Sequence, residues 1–207
     1  MSDQLQAKIG EVIKFTDNLT ASLQQLSLML NGMSGDQPKQ QTVYSQRDPQ
    51  WAADKMSSTV YTIGQKGCLM TCAASMLTDA GHPIDPHALN AWLNGNNGYI
   101  VKDGYPLFIW ASIDVLGVVK FINRVDCWSV PAPLTDMAAF LNAGHYVLVE
   151  VDFDADPQRD QHWVRLLDMT GNIMDPWTGD IIPITHYRGR NLSECTRGVA
   201  YYRKTGV

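Results

Sequence analysis

The feature that most constrains the fold is a heptad pattern of apolar residues near the N-terminus. Its members recur at alternating spacings of four and three residues: Leu5, Ile9, Val12, Thr16, Leu19, Leu23, Leu26 and Leu30. This period produces a narrow apolar stripe, which a helix buries against another helix. We expect residues 5–30 to form a helix that assembles the chain into a homo-oligomer, with packing against its own body as the alternative. The polar Thr16 weakens such a coil and helps to fix its register.

The rest of the chain follows a linker. The segment "NGMSGDQPKQQ", 31–41, combines Gly, Pro and polar residues, so it ends the helix of residues 1–30 and separates it from a domain at 42–207. Helical patterns come first in this domain: Cys68–Ala80, Pro86–Leu93, Pro106–Leu116 and Leu134–Ala143. Strand patterns follow: Tyr146–Phe153, His162–Met169, Asn172–Met174, Ile181–Ile184 and Val199–Arg203. This order predicts an α+β domain with two lobes, in which the helices precede an antiparallel sheet.

Composition excludes several classes of function. The net charge is −5, and phosphate binding needs clustered Lys and Arg, so we expect no nucleic-acid partner. No apolar run approaches the roughly 18 residues of a membrane span. The N-terminus also lacks the basic segment and apolar core of a secretory signal. We therefore expect a chain without a membrane span or signal peptide.

The cysteines and the acidic residues indicate no metal site and no cofactor. Cys68, Cys72, Cys127 and Cys195 match neither a disulfide ladder nor a zinc motif, and the last three are expected to be small buried residues. The stretch "DFDADPQRD", 152–160, spaces its carboxylates like a calcium loop. Pro157 stands where such loops need Gly, which favours a solvated acidic loop over a calcium site.

Cys68 occupies an unusual position for a thiol. In "TIGQKGCLMTCAASMLTDAG", 62–81, it follows Gly67 and opens a predicted helix. The N–H groups and partial positive charge of a helix N-terminus favour a thiolate, which makes such a cysteine more acidic. We expect Gly67 to let a substrate backbone approach closely. Cys68 is thus a candidate nucleophile, which requires a base and a group that orients the base.

His162 is the best candidate base among the histidines. His82 and His87 flank prolines, His186 has no apparent partner, and His145 opens a different strand. His162 opens the strand "QHWVRLLDM", and Asp175 follows thirteen residues later, beyond a turn. If this hairpin centres near Asp168–Met169, Asp175 lies opposite or diagonal to His162, whereas a centre at Thr170–Gly171 separates them. Cys68, His162 and Asp175 can then act as nucleophile, base and orienting carboxylate.

Four segments together resemble a known enzyme family. They are "VYSQRDPQWAADKM", "TIGQKGCLMTCAASML", "QHWVRLLD" and "IMDPWTGD", which span roughly residues 43–178. In this order they resemble the papain-like cysteine peptidases related to the double-glycine leader peptidases of bacteriocin exporters. The resemblance implies a papain-like two-lobed fold, with Cys68 as nucleophile, His162 as base and Asp175 as orienter. It also implies Gln46 as oxyanion donor, with Gln65 as a rival.

The expected function is hydrolysis of a peptide bond by a papain-like cysteine peptidase or amidase. Domains of this kind occur in bacterial exported proteins and in phage lysins and virion parts, so murein peptides are the natural target and a phage particle or the bacterial cytoplasm the expected location. Two alternatives are a catalytically silent papain-like binding module, assembled through its N-terminal helix, and a transglutaminase that uses the same residues.

Overall fold

The N-terminal heptad segment lies only partly within the described residues. The structure is a computed structural model, and it describes residues 6, 8–10, 12, 15–16, 41–154 and 160–205. The chain divides into two units, Met1–Gln40 and Gln41–Val207. In the first unit the described residues are helical, and Ile9, Val12 and Phe15 are exposed. The other apolar heptad positions (Leu5, Leu19, Leu23, Leu26 and Leu30) and linker residues 31–40 lie outside the described residues, so the coiled coil stays a prediction.

Two antiparallel sheets organise the second unit. Strands β1 (Tyr99–Lys102) and β2 (Tyr105–Phe108) form a separate hairpin. The main sheet has six strands: β3 (Val119–Asp126), β4 (Tyr146–Asp152), β5 (Gln161–Leu166), β6 (Asn172–Asp175), β7 (Asp180–Pro183) and β8 (Gly198–Lys204). Their order across the sheet is β3-β8-β4-β5-β6-β7, with every neighbouring pair antiparallel. The C-terminal strand β8 therefore lies inside the sheet, beside β3.

Short helices connect and cover these strands. The α-helices among the described residues of the second unit are α1 (Ile63–Lys66), α2 (Cys68–Asp79), α3 (Pro86–Gly95), α4 (Leu134–Asn142) and α5 (Leu192–Cys195). Two 3-10 helices span Trp110–Leu116 and Ile184–His186. Within the described parts of the chain, every helix is too short or too polar to cross a membrane.

The main sheet is covered on both faces. Every residue of β4 is buried, and successive side chains alternate between two apolar clusters: Tyr146 and Leu148 join the cluster around α2 and α3, while Val147, Val149 and Val151 join the one around α4 and α5. Side chains on a strand point to opposite faces in turn, so a fully buried strand needs cover on both sides. In this arrangement α2 packs against β5, an inner strand of the main sheet.

Helix α2 is held by burial along almost its whole length. Residues 70–77 are all buried, and the Cys72 thiol donates to the carbonyl of Trp163 on β5 at 3.4 Å. The helix ends before Gly81, whose φ of +102° lies in the left-handed region that favours glycine. At this end Asp79 forms an ion pair with Arg165 of β5 at 2.7 Å, and both side chains are 4% exposed. Helix α2 is thus fixed to β5 in its second turn and at its C-terminal end.

The α+β class predicted from the sequence is confirmed, whereas part of the element order is wrong. Three of the four helices predicted for the domain and all five strands of its second half appear within one or two residues of their predicted positions, except that β5 ends at Leu166 rather than Met169. The predicted helix Pro106–Leu116 is wrong, because residues 105–108 are strand and only Trp110–Leu116 is helical, as 3-10 helix. Strands β1, β2 and β3 also lie in the half that was expected to be helical. Pro106 is tolerated in β2 because a two-stranded hairpin has free edges.

Candidate active site

Cys68 stands at the first position of α2, in the floor of a surface cleft. Its side chain is partly exposed, whereas Cys72, Cys127 and Cys195 are buried, as the sequence predicts. Gly67 precedes it as the N-cap residue and provides no side-chain cap, so the first N–H groups of α2 remain available near the thiol. The backbone N–H of Leu69 and that of Trp163 both interact with the Cys68 sulfur.

Gly67 is needed for a packing reason that the sequence does not show. Its φ is −85°, which any residue can adopt. A Cβ atom at this position would lie 2.5 Å from the carbonyl oxygen of Ile63 and 2.7 Å from the Ile63 side chain. The missing side chain therefore lets α1 pack against the start of α2, and the expectation that it also makes room for a substrate stays a prediction. Gly67 acts by positioning Cys68.

His162 and Asp175 form a buried pair. Nε2 of His162 lies 2.8 Å from Oδ1 of Asp175, and their side chains are 5% and 0% exposed. Because Nε2 is engaged by the carboxylate, Nδ1 is the ring nitrogen left to interact with the Cys68 thiol, whose proximity contributes to the raised pKa of His162. The structure thus brings the three residues together from α2, β5 and β6.

The register of the β5–β6 hairpin explains this pairing. Arg165 lies opposite Met174 and Leu166 opposite Ile173. Extending this register by one residue places Asp175 opposite Val164, two residues from His162 on the same face of the sheet. Diagonal neighbours on one face are within reach of long side chains. The diagonal arrangement is one of the two that the sequence allowed.

The electrostatics around Cys68 and His162 favour a thiolate nucleophile. Burial alone would raise the pKa of Cys68, but its hydrogen bond to His162, the charge of His162 and the backbone N–H groups lower this pKa below the usual value. Burial would likewise lower the pKa of His162, yet the hydrogen bonds to Asp175 and Cys68 raise it to about 9. A lowered thiol pKa and a raised imidazole pKa stabilise a thiolate–imidazolium pair.

The Asp175 carboxylate is kept ionised by a ring of donors. Burial would raise its pKa, but His162, the backbone N–H of Trp177 at 3.0 Å and the nearby Tyr187 side chain lower it. The N–H of Thr178 also donates to Asp175, at 3.3 Å. The Tyr187 ring lies 5.4 Å from the His162 ring between centroids, and Phe153 contacts the imidazole edge-on. Aromatic rings therefore shield the ion pair from solvent.

Gln46 and Gln65 both line the cleft beside Cys68, in different states. Gln46 is buried, and its Nε2 donates to the carbonyls of Gly64 at 3.1 Å and Ile63 at 3.5 Å. Gln65 is exposed, and its Oε1 accepts the N–H of Thr62 at 3.1 Å. As placed, Gln46 holds the turn that precedes Cys68, and it can serve an oxyanion once the longer of its two bonds is released.

The cleft extends on both sides of Cys68. The first side, here called the apolar half, has a volume of about 440 Å³ and is lined mainly by apolar side chains with two cations: Met56, Leu69, Ile100, Phe108, Trp110 and Trp163, with Lys66 and Arg124. The second side, here called the polar half, has a volume of about 470 Å³ and contains His162. Its other lining residues include Gln46, Gln65, Asp160, Gln161, Phe153 and Trp177. Pro106 and Leu107 of β2 border both halves.

Several lining residues carry no sequence signal for a cleft. Ile100, Leu107 and Phe108 belong to the hairpin β1–β2, of which β2 fell in a predicted helix and β1 was not predicted. Arg124 lies on β3, where exposed and half-buried residues do not alternate regularly. Its approach to Cys68 depends on the pairing of β3 with the distant strand β8. Only the tertiary fold reveals these residues.

His87 and His145 have partners away from this cleft, whereas the acidic segment 152–160 reaches it through Asp160. His87 pairs with Asp54 at 2.6 Å, and His145 accepts the N–H of Lys204 at 3.4 Å. Of the acidic segment 152–160, residues 155–159 lie outside the described residues, and Asp152 is buried and pairs with Arg188 at 3.4 Å. Among the residues that are described, no group of three or more His, Cys, Asp or Glu is arranged to hold a metal ion.

Comparisons of the chain with protein-family models, with curated proteins and with solved structures find no significant match. The case for a function therefore depends on the geometry of the cleft and on the sequence motifs.

Proposed function

We propose that this protein is a cysteine peptidase of papain-like fold that hydrolyses a peptide bond with Cys68, His162 and Asp175. One observation carries the proposal: a partly exposed thiol of lowered pKa opens a helix at the floor of a cleft and interacts with an imidazole that a buried carboxylate holds in place. These are the parts that nucleophilic acyl transfer requires.

The reaction proceeds in two steps. The Cys68 thiolate attacks the carbonyl carbon, forming a C–S bond, while the N–H groups at the start of α2 and an amide donor stabilise the oxyanion. The His162 imidazolium gives its proton to the leaving nitrogen as the C–N bond breaks. Neutral His162 then takes a proton from water, whose oxygen attacks the thioester. Release of the acid restores the thiolate and the imidazolium.

Murein peptides are the proposed substrate, and a homo-oligomer formed through residues 5–30 is the proposed assembly. The substrate follows from the resemblance to peptidases that occur in phage lysins and virion parts. The assembly is supported by the apolar heptad pattern and by the exposure of Ile9 and Val12 on the described part of the helix. A phage particle component would combine both features.

Labelling with iodoacetamide at neutral pH tests the catalytic proposal. We expect rapid modification of Cys68 in the full-length protein, and loss of this rate in His162→Ala. The other three cysteines serve as internal controls, because each is buried and burial raises the pKa of each. Slow labelling that does not depend on His162 would instead support the silent binding module.

Incubation of the protein with purified murein or peptides, with and without an added amine, then separates two reactions. Release of the free acid in both conditions is the expected result for a peptidase. Incorporation of the amine at the expense of the acid would identify a transglutaminase on the same residues. Cys68→Ala is the control for both measurements, because it removes the attacking sulfur.

A further inference from the structure

The apolar half of the cleft has a charge that contrasts with the rest of the chain. The chain has a net charge of −5. Yet Arg124 lines the apolar half and Lys66 borders both halves, and none of the described residues that line the apolar half is Asp or Glu. The one described carboxylate that lines the cleft, Asp160, belongs to the polar half. A cleft that has apolar walls and only positive charges in its lining concentrates positive potential where a substrate would lie.

Arg124 is fixed by groups behind it. Its Nη2 donates to Oε2 of Glu150 at 2.7 Å, and the Glu150 side chain is 2% exposed. The other oxygen of Glu150 accepts the indole N–H of Trp128 at 3.0 Å. The guanidinium carbon lies 5.5 Å from the centre of the Trp163 ring, a second contact that limits its freedom. Arg124 is therefore a pre-oriented cation.

The guanidinium retains donors for a ligand. Arginine has five N–H groups in a planar fork that matches a carboxylate. Only the bond to Glu150 engages them within residues 41–154 and 160–205, and the Arg124 side chain is 33% exposed. Lys66 differs, because its ammonium lies 5.9 Å and 5.8 Å from the rings of Tyr61 and Tyr105 and forms no ion pair with any residue that the structure describes. Arg124 is thus the better-defined anchor.

The chemistry of the reaction indicates which side of the substrate lies in each half of the cleft. His162 has to protonate the leaving nitrogen, so the leaving side of the substrate lies next to His162, in the polar half. The acyl side, which stays on Cys68 as the thioester, then lies in the apolar half, which His162 does not line. The substrate direction follows from this and from the proposed function.

We propose that Arg124 determines specificity by binding a carboxylate on the acyl side of the substrate, next to an apolar group that packs on Trp110 and Ile100. This inference rests on the proposed function. The substrate class is a peptide that carries an acidic residue or a free carboxylate before the scissile bond. Charge-assisted hydrogen bonds in a site with apolar walls give both affinity and orientation.

Peptide probes that present only an acyl side test this inference on the full-length protein. Each probe ends in a ketone with a leaving group, which the Cys68 sulfur displaces to form a thioether. Matched probes differ only by Glu against Gln at one of the first three acyl-side positions. At one position, we expect the Glu probe to react about tenfold faster, the size of one charge-assisted hydrogen bond. Equal rates for every pair would overturn the inference.

Variants test whether Arg124 causes the preference for the Glu probe. Arg124→Gln should abolish the Glu preference, while Lys120→Gln, an exposed cation on the same strand that does not line the cleft, should retain it. Because Arg124→Gln leaves Glu150 buried without its cation, we include Arg124→Gln combined with Glu150→Gln, which removes both charges. A Glu preference that survives in both Arg124 variants would contradict the role of Arg124.

If the protein is not a cysteine peptidase, the experiments give a different result from a failure of the Arg124 inference alone. In that case no probe reacts with Cys68, and the iodoacetamide rate is the same in His162→Ala. Calorimetric titration of the intact Glu and Gln peptides then measures binding directly. Tighter binding of the Glu peptide that Arg124→Gln abolishes supports the carboxylate site without catalysis, and equal binding overturns it.

Discussion

Nε2 of His162 lies 2.8 Å from Oδ1 of Asp175, diagonally across the β5–β6 hairpin. This contact orients the imidazole so that its other nitrogen serves Cys68 at the start of α2. The three groups come from separate segments and meet because α2 packs across β5. This geometry predicts how activity depends on pH, how variants lose activity and which substitution destabilises the domain.

The pH profile should show two limits. The nucleophilic thiolate exists above the pKa of Cys68, which His162 and backbone N–H groups lower against the effect of burial, so the acid limb should lie below the ordinary thiol pKa of about 8.5. The imidazolium that protonates the leaving nitrogen exists only below the pKa of His162, about 9, so cleavage should fall above that pH. Peptide cleavage and Cys68 alkylation measured across pH check both limits. A single alkylation step near 8.5, unchanged in His162→Ala, would contradict the ion pair.

Asp175→Asn should impair catalysis and move the basic limb. The substitution keeps an oxygen that can accept a hydrogen bond from His162 but removes the charge. Because the Asp175 interaction is what most raises the His162 pKa against burial, the basic limb should move to lower pH. We expect kcat to fall by about 10²-fold or more, the usual contribution of a positioned acid–base group. Asp180→Asn, at an exposed residue of β7 opposite Asp175, is the control and should leave the profile unchanged.

Gln46→Ala and Gln65→Ala separate the two candidates for the oxyanion donor. Loss of one such donor typically lowers kcat by about 10²–10³-fold. We expect this loss in Gln46→Ala, because Gln46 is buried beside Cys68, and only a small change in Gln65→Ala, because Gln65 is exposed. Steady-state kcat and KM, with thermal unfolding as a check on the fold, are the measurements. A larger loss in Gln65→Ala would transfer the role to Gln65.

Gly67→Ala should destabilise the domain. The new Cβ would lie 2.5 Å from a backbone oxygen of Ile63, which has little freedom to move. Overpacking of this kind costs about 1–3 kcal/mol in the free energy of unfolding. Gly95→Ala is the matched control, since a Cβ there meets no atom within 4 Å and alanine favours a helix. Thermal unfolding of both variants gives the comparison, and a neutral Gly67→Ala would show that α1 and α2 can separate.

The residues that the sequence indicated and those it missed differ in how local their contacts are. The α2 N-terminus and the β5–β6 hairpin are short-range features, so residue patterns and a turn of limited length suffice to predict them. Arg124 meets Glu150 only because β8, from the end of the chain, pairs with both β3 and β4. The Arg165–Asp79 pair likewise joins residues that are remote in sequence. Local residue patterns do not show such pairing, and the equally distant meeting of Cys68 with His162 is expected from the family resemblance rather than from any short-range pattern.

Loss of residues 1–41 should change the oligomeric state of the protein in solution. A narrow stripe of leucine, isoleucine and valine is stable only when another helix covers it. We expect the full-length protein to be an oligomer and a chain that begins at Thr42 to be a monomer, as measured by light scattering. Val12→Glu places a charge in the stripe and should dissociate the oligomer, whereas Gln25→Glu, off the stripe, should not. If the full-length protein is also a monomer, the self-association of this helix is contradicted.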